Sequence, residues 1–385
     1  MSLPCPRLVA ALFAVAAVPA FAGTFVATGD MVAPRTVHTA TLMSDGRVLI
    51  AGGNLPSEDR AIAPVPHAPS ALAEIWDPAT GQFTATGNLT VPRFDHVAVP
   101  LSNARVLVIG GYGNDETQAN AEIFDGATGT FAAVTSAIDV GGERATATTL
   151  ADGRVLVVGG FRMGPRNAAQ LYDPATNTFA ATGNLNVGRY VHTATRLLDG
   201  RVLIVGGLGG NAVRDDAELY DPSTGTFTVL AARMGDVRER HAAALLPDGR
   251  VLIAGGFKVG EQLRNAELFD PATQTFAPAA NEMAVQRVDF ELRTLADGTV
   301  LAIGTDRFDL TVPVAELFSP QTNTFATITP GPAYERSQGD ATVLADGRVL
   351  VTGGNDTIDA TGRIATAELY VPGAADAIFA DGFEE

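Results

Sequence analysis

Four histidines and six arginines recur at fixed distances from a repeated turn, and their types and spacing make them the first candidates for chemistry. Seven residues before an Asp-Gly or Asn-Ala turn stand His38, His96, His192 and His241, with Ala145, Phe290 and Gly339 in the other copies. Three residues earlier stand Arg35, Arg93, Arg189, Arg238, Arg287 and Arg336, with Gly142 in the third copy. A functional array would use the arginines to bind anions and the imidazoles as metal ligands or acid–base groups.

A structural reading pairs each arginine with a glutamate that recurs downstream: Glu74, Glu122, Glu218, Glu267, Glu316 or Glu368. The copy with Gly142 in place of arginine also has Gln170 in place of glutamate. Joint loss is what a buried ion pair predicts, because a partner left alone costs roughly 3–5 kcal/mol. These residues are therefore expected to form structural ion pairs, with Arg144 a candidate substitute in the third copy. The histidines share one repeat slot, so they should take equivalent stations in different units, whereas metal ligands must converge within about 2.0–2.1 Å of one ion. Packing and hydrogen bonding are expected of them. Neighbouring units could still bring His38 near His96, or His192 near His241, but no metal and no catalytic residue is assigned.

The elements that position these residues are written seven times. "DGRVLIAGG" at 45–53 has counterparts beginning at 103, 152, 199, 248, 297 and 346. A period of about fifty residues points to a propeller or solenoid. Each unit reads as four short strands: an alternating segment such as "HTATLM" (38–43), a turn, an apolar "RVLIAGG" strand, an "AELYDP" strand, and a fourth after "STGTF" (223–227). Asp-Gly predicts a two-residue type I′ hairpin between the first two. The apolar second strands imply sheets buried on both faces, as when radial blades stack on one another. The last unit lacks its fourth strand, and "GTFVATGDM" at 23–31 can supply it. The expected fold is all-β, a seven-bladed propeller closed by the N-terminal strand.

Paired glycines, the "AELYDPxTxTF" segment and the "R-x-x-H-x-A" opening resemble the kelch repeat over about 23–373, in the manner of secreted bacterial proteins with a galactose-oxidase-like central domain. Phe83, Phe131, Phe179, Phe227, Phe276 and Phe325 stand where kelch repeats commonly place tryptophan. The resemblance implies a kelch-type propeller. Galactose-oxidase chemistry would need copper and a cysteine-linked tyrosine, but Cys5 is the single cysteine and precedes an apolar leader. No cofactor is expected.

Repeats build the scaffold, and binding usually resides on the loops that differ. The connection from second to third strand is longest in the first unit (Gly53 to Ala73) and extended in the seventh (Gly354 to Ala367). These two units are neighbours in a closed ring. Glu58, Asp59, Arg60 and His67 on one connection, with Asn355, Asp356, Asp359 and Arg363 on the other, are the expected binding residues.

Residues 1–22 carry Arg7, an apolar run and Ala20-Phe-Ala22, the pattern of a secretory signal peptide. Residues 374–385, "AADAIFADGFEE", form an acidic, aromatic tail. A net charge of −17 argues against nucleic acid as partner. The composite expectation is a secreted or periplasmic monomer without a membrane span. It would bind a carbohydrate, polymer or protein at the cell envelope. The alternative is a kelch-type, epimerase-like enzyme acting on an anionic sugar.

Overall fold

The computed structural model describes residues 23–56, 68–113, 116–304, 314–356 and 362–373. Among these the protein is all-β, with seven four-stranded antiparallel sheets and no helix long and apolar enough to cross a membrane. The fourth sheet is representative: Thr193–Arg196, Val202–Val205, Ala217–Asp221 and Thr226–Val229 follow one another in space as in sequence. Its second strand is wholly buried and its fourth largely exposed, so apolarity falls from the inner strands to the edge.

Six sheets take their strands from one stretch of chain. The seventh combines Asp340–Val343, Val349–Thr352 and Ala367–Val371 with Thr24–Ala27 from the start of the described chain. The register Phe25↔Tyr370 places a phenylalanine against the third-strand aromatic, ring centroids 5.1 Å apart. Phe131 stands in the same way on Phe124 and Phe227 on Tyr220, at 4.9 and 4.8 Å. The phenylalanine in second position of each fourth strand is thus a cross-strand partner for the third-strand aromatic, a pairing that stabilises a sheet beyond simple burial.

The apolar core lies between sheets. One cluster joins Leu203 and Val205 of the fourth sheet to Val251, Ile253 and Phe269 of the fifth. Another joins Val48, Ile50 and Trp76 of the first to Leu350 and Leu369 of the seventh. The first strands, Thr39–Leu42, Val97–Pro100, Thr146–Thr149, Thr193–Arg196, Ala242–Leu245, Glu291–Thr294 and Asp340–Val343, lie each beside the next. Asp340–Val343 lies also beside Thr39–Leu42.

The turns correct one expectation. In the first unit Gly46 alone has positive φ (87°), Gly46 N–H donates to Met43 O and Met43 N–H to Arg47 O. This is a type I turn followed by a left-handed glycine, not a type I′ turn centred on Asp-Gly. Its gain is electrostatic: Asp45 accepts from the Arg47 backbone N–H and pairs with its guanidinium at 2.6 Å. The second unit, with Asn103 and Ala104 at φ 61° and 52°, keeps both central residues left-handed. A second difference is the short ribbons in the connections after the second strand, such as Leu208–Gly209 with Ala212–Val213 and Phe257–Lys258 with Glu261–Gln262.

Phe25→Ala removes the partner of Tyr370 and should destabilise the protein by about 2 kcal/mol, read as a lower urea midpoint. An unchanged midpoint would show that the N-terminal strand contributes nothing to the seventh sheet.

Candidate binding site at the mouth of the axial cavity

Every slot arginine and its glutamate lie together and buried. Nitrogen–oxygen distances are 2.6 Å for Arg35–Glu74, 2.7 Å for Arg93–Glu122, 2.9 Å for Arg189–Glu218 and for Arg238–Glu267, 3.0 Å for Arg287–Glu316 and 3.1 Å for Arg336–Glu368. The other guanidinium arm donates to the carbonyl of the first glycine after the second strand, as in Arg93 to Gly110 O and Arg287 to Gly304 O, 2.8 and 2.7 Å. The glutamates also accept backbone N–H groups of the connection that carries the arginine, Val32 on Glu74 and Ala284 on Glu316 among them. Burial pushes the Arg35 guanidinium down and the Glu74 carboxyl up, opposed in both cases by their mutual attraction. Such a pair is costly to break because the survivor remains desolvated.

The first glycine is dictated by the same contacts. Gly206 has φ 61°, and a Cβ there would lie 2.6 Å from Arg238 O and 2.8 Å from the His241 ring. The third unit does without the clamp: Gln170 Oε1 accepts from Asp139 N–H, and Arg166 pairs with Asp139. Arg144 does not fill the gap.

The histidines link neighbouring units. Nε2 of His96, His192 and His241 lies 3.0 Å from the hydroxyls of Thr39, Thr146 and Thr193 on the preceding first strand, and His38 Nε2 lies 2.9 Å from Thr352. Their Nδ1 atoms are buried without a hydrogen-bond partner. Burial first, and the nearby arginine second, lowers all four, to about 3 for His96 and His192. Neutral imidazoles each engaged with a threonine in a separate unit are inter-sheet hydrogen bonds, and among the described residues no group of three His, Cys, Asp or Glu side chains could hold a metal ion.

Between the slot arginine and the slot histidine stands the residue the repeat leaves free to vary: Val37, Asp95, Arg144, Val191, Arg240, Asp289 and Gln338. All seven are left-handed, with φ from 48° to 58°. The conformation is unusual for any non-glycine residue and an outlier for valine. It is held by backbone bonds passed from unit to unit: Asp95 N–H to Val37 O, Arg144 to Asp95, Val191 to Arg144, Arg240 to Val191, Asp289 to Arg240, and Val37 to Gln338. All seven line a cavity of about 230 Å³. It shares His96, His192, His241, Phe290 and Glu291 with a deeper space of about 430 Å³ along the first strands.

The charged members form a chain across this mouth. Arg144 lies 3.0 Å from Asp95 and 2.7 Å from Asp289, and Arg240 lies 3.0 Å from Asp289. Burial raises Asp95 above the usual carboxylate range despite Arg144, whereas for Asp289 the two guanidinia outweigh burial and lower it. Arg144 itself is raised, because Asp95 and Asp289 overcome its desolvation. Deeper in, Arg293 pairs with Glu291 at 2.6 Å and with Asp340 at 3.4 Å, and burial pushes Glu291 up to about 7.

The expected rim residues are only partly placed. Glu58, Asp59, Arg60, His67 and Asp359 lie outside the described residues. Asp356 is buried and Asn355 half-buried, in a short strand paired with Arg336–Ser337. The Arg363 guanidinium donates to Leu55 O, so the long connections of the first and seventh units do touch. On the face that bears these connections, Phe94 packs on Tyr112 and Phe161 on Tyr190, at 5.6 and 5.0 Å. Sequence reasoning missed these aromatics and the slot of Asp95, Arg144 and Asp289. The available signal was variability within an otherwise repeated motif.

The class these features define is an all-β protein of repeated four-stranded sheets that carries a Kelch motif, matched over residues 189–233. No curated protein matches the chain. Among solved structures it is similar to a fungal alcohol oxidase of the AA5 family in complex with copper, with a TM-score of 0.70 and 17% identity over 94% of this chain and 79% of that one. At that identity the likeness is one of fold. The slot histidines, turned to threonines in separate units, do not fit a copper site.

Two measurements check this site. Arg189→Met should cost about 3–5 kcal/mol, and adding Glu218→Leu should recover much of that loss; additive losses in urea denaturation would show that the two act independently. The four slot imidazoles should show no protonation by NMR from pH 8 to about pH 5. Because their folded pKa values lie below the unfolded value of about 6.5, the stability they contribute is complete above that pH and declines as pH falls beneath it. Titration near 6.5 in the folded protein would refute the buried assignment.

Proposed function

We propose that this chain is an exported, seven-bladed kelch-type propeller that recognises a carbohydrate, polymer or protein partner at the cell envelope without catalysing a reaction. The order in which the first strands lie side by side, the cluster shared by first and seventh sheets, and the pairing of Thr24–Ala27 with Ala367–Val371 support seven blades joined through the N-terminal strand. The apolar leader at 1–22 supports export.

One observation carries the recognition reading: the buried and cavity-lining guanidinia are consumed internally. The six slot guanidinia, and Arg144, Arg240 and Arg293 in the cavity, each have a carboxylate partner. An epimerase-like site on an anionic sugar would want a free guanidinium beside an unpaired carboxylate. The half-buried Tyr112, Phe161 and Tyr190 on the connection-bearing face suit stacking on sugar rings or on apolar side chains.

A glycan array run with metal analysis tests this reading. Selective binding of the wild-type protein without product formation is expected. Turnover of a bound sugar, or stoichiometric copper or zinc, would overturn it.

A further inference from the structure

We infer that the mouth of the cavity is a carboxylate-binding site occupied by the chain's own Asp289, and that the carboxylate of an acidic sugar takes its place. The inference rests on the recognition reading and names its ligand class.

Asp289 is held as a bound ligand would be. One oxygen lies 2.7 Å from Arg144 Nη1, the other 3.0 Å from Arg240 Nη1, and Gln338 Nε2 approaches the second at 3.4 Å. Two guanidinia on one carboxylate is the strong, directional grip that proteins use for carboxylate ligands. Unlike the six slot clamps, this grip is not buried in a strand-to-strand contact. Arg240 retains 39% of its side-chain exposure, and Arg144 and Asp289 retain 19% and 11%. Arg144 is 145 residues from Asp289 in the chain. All three stand on left-handed backbone (φ 52°, 52° and 49°), where strain is commonly kept for function.

The surroundings say what else the ligand carries. Beneath the mouth, Thr39, Thr146, Thr193 and Thr195 line the deeper space of about 430 Å³; the first three already share their hydroxyls with His96, His192 and His241, and each keeps a further hydrogen-bonding position. That volume falls within the roughly 300–1,000 Å³ of small-molecule sites. Hydroxyls in the cavity and paired arginines at its entrance match a sugar ring bearing a carboxylate. Exchange keeps the charge on the guanidinia constant, but the displaced Asp289 still faces the carboxylates whose charge it already feels, Asp95, Glu239 and Glu291. The internal carboxylate therefore acts as a competitor, and the unaltered protein binds weakly.

The experiment is calorimetric titration of the full mature protein and of Asp289→Asn with D-galacturonate, D-galactose and acetate. Asp289→Asn should bind galacturonate at least about tenfold more tightly than the unaltered protein, bind galactose and acetate far more weakly, and lose the gain when Arg240→Gln is added. In the unaltered protein the Arg240 Nε–H resonance should shift on titration with galacturonate and not with galactose, a readout independent of whether the variant folds. No tightening in a folded Asp289→Asn protein, equal affinity for galactose or acetate, or an unmoved Arg240 resonance would overturn the inference. A positive wild-type glycan array beside such a failure would leave the recognition reading standing; turnover of galacturonate by a tightened variant would leave the carboxylate site standing and overturn recognition without catalysis.

Discussion

Each slot guanidinium is held from three directions: a third-strand carboxylate, the carbonyl of the first glycine after the second strand, and its own connection, whose backbone N–H groups reach the same carboxylate. Three elements that meet nowhere in the sequence thus share one buried charge pair. Burial penalises both ions, and Arg35 and Glu74 are shifted in the directions burial dictates. What the clamp contributes is uniqueness of geometry, because any displacement leaves a desolvated charge or an unmet carbonyl. The first glycine of the pair follows from it, since a side chain at Gly52 or Gly206 would strike the next unit's arginine carbonyl and histidine ring.

The residue before the histidine slot is left-handed in every unit, including the third, which has neither clamp nor histidine, so the conformation is imposed by the backbone bonds passed from unit to unit. All seven units carry that conformational cost, and each receives a side chain that lines the shared cavity. The slot is invariant in backbone and free in identity. Valine, aspartate, arginine and glutamine all occupy it, and the ion-pair chain across the mouth arises from that freedom.

The fungal oxidase is similar to this chain in fold, at a TM-score of 0.70 and 17% identity. A fold by itself does not dictate chemistry, which belongs to the residues at the site. In this chain the axial residues are ion pairs and threonine hydroxyls, groups suited to holding a polar ligand.

Much of this was legible in the sequence. The strand pattern, the arginine–glutamate association and the role of "GTFVATGDM" all follow from repetition, because a copied unit reveals its own rules: where Gly142 replaces arginine, Gln170 replaces glutamate. Those are local or near-local constraints, set by periodicity and by the cost of an unpaired buried charge. The turn geometry was misread, because Asp45 serves Arg47 instead of adopting positive φ. The meeting of Arg144 with Asp289 was decided by tertiary structure alone. Nothing in the spacing of residues 145 apart reports that two sheets stand on opposite sides of one cavity, and a side chain's direction from left-handed backbone depends on contacts that exist only once the sheets have assembled.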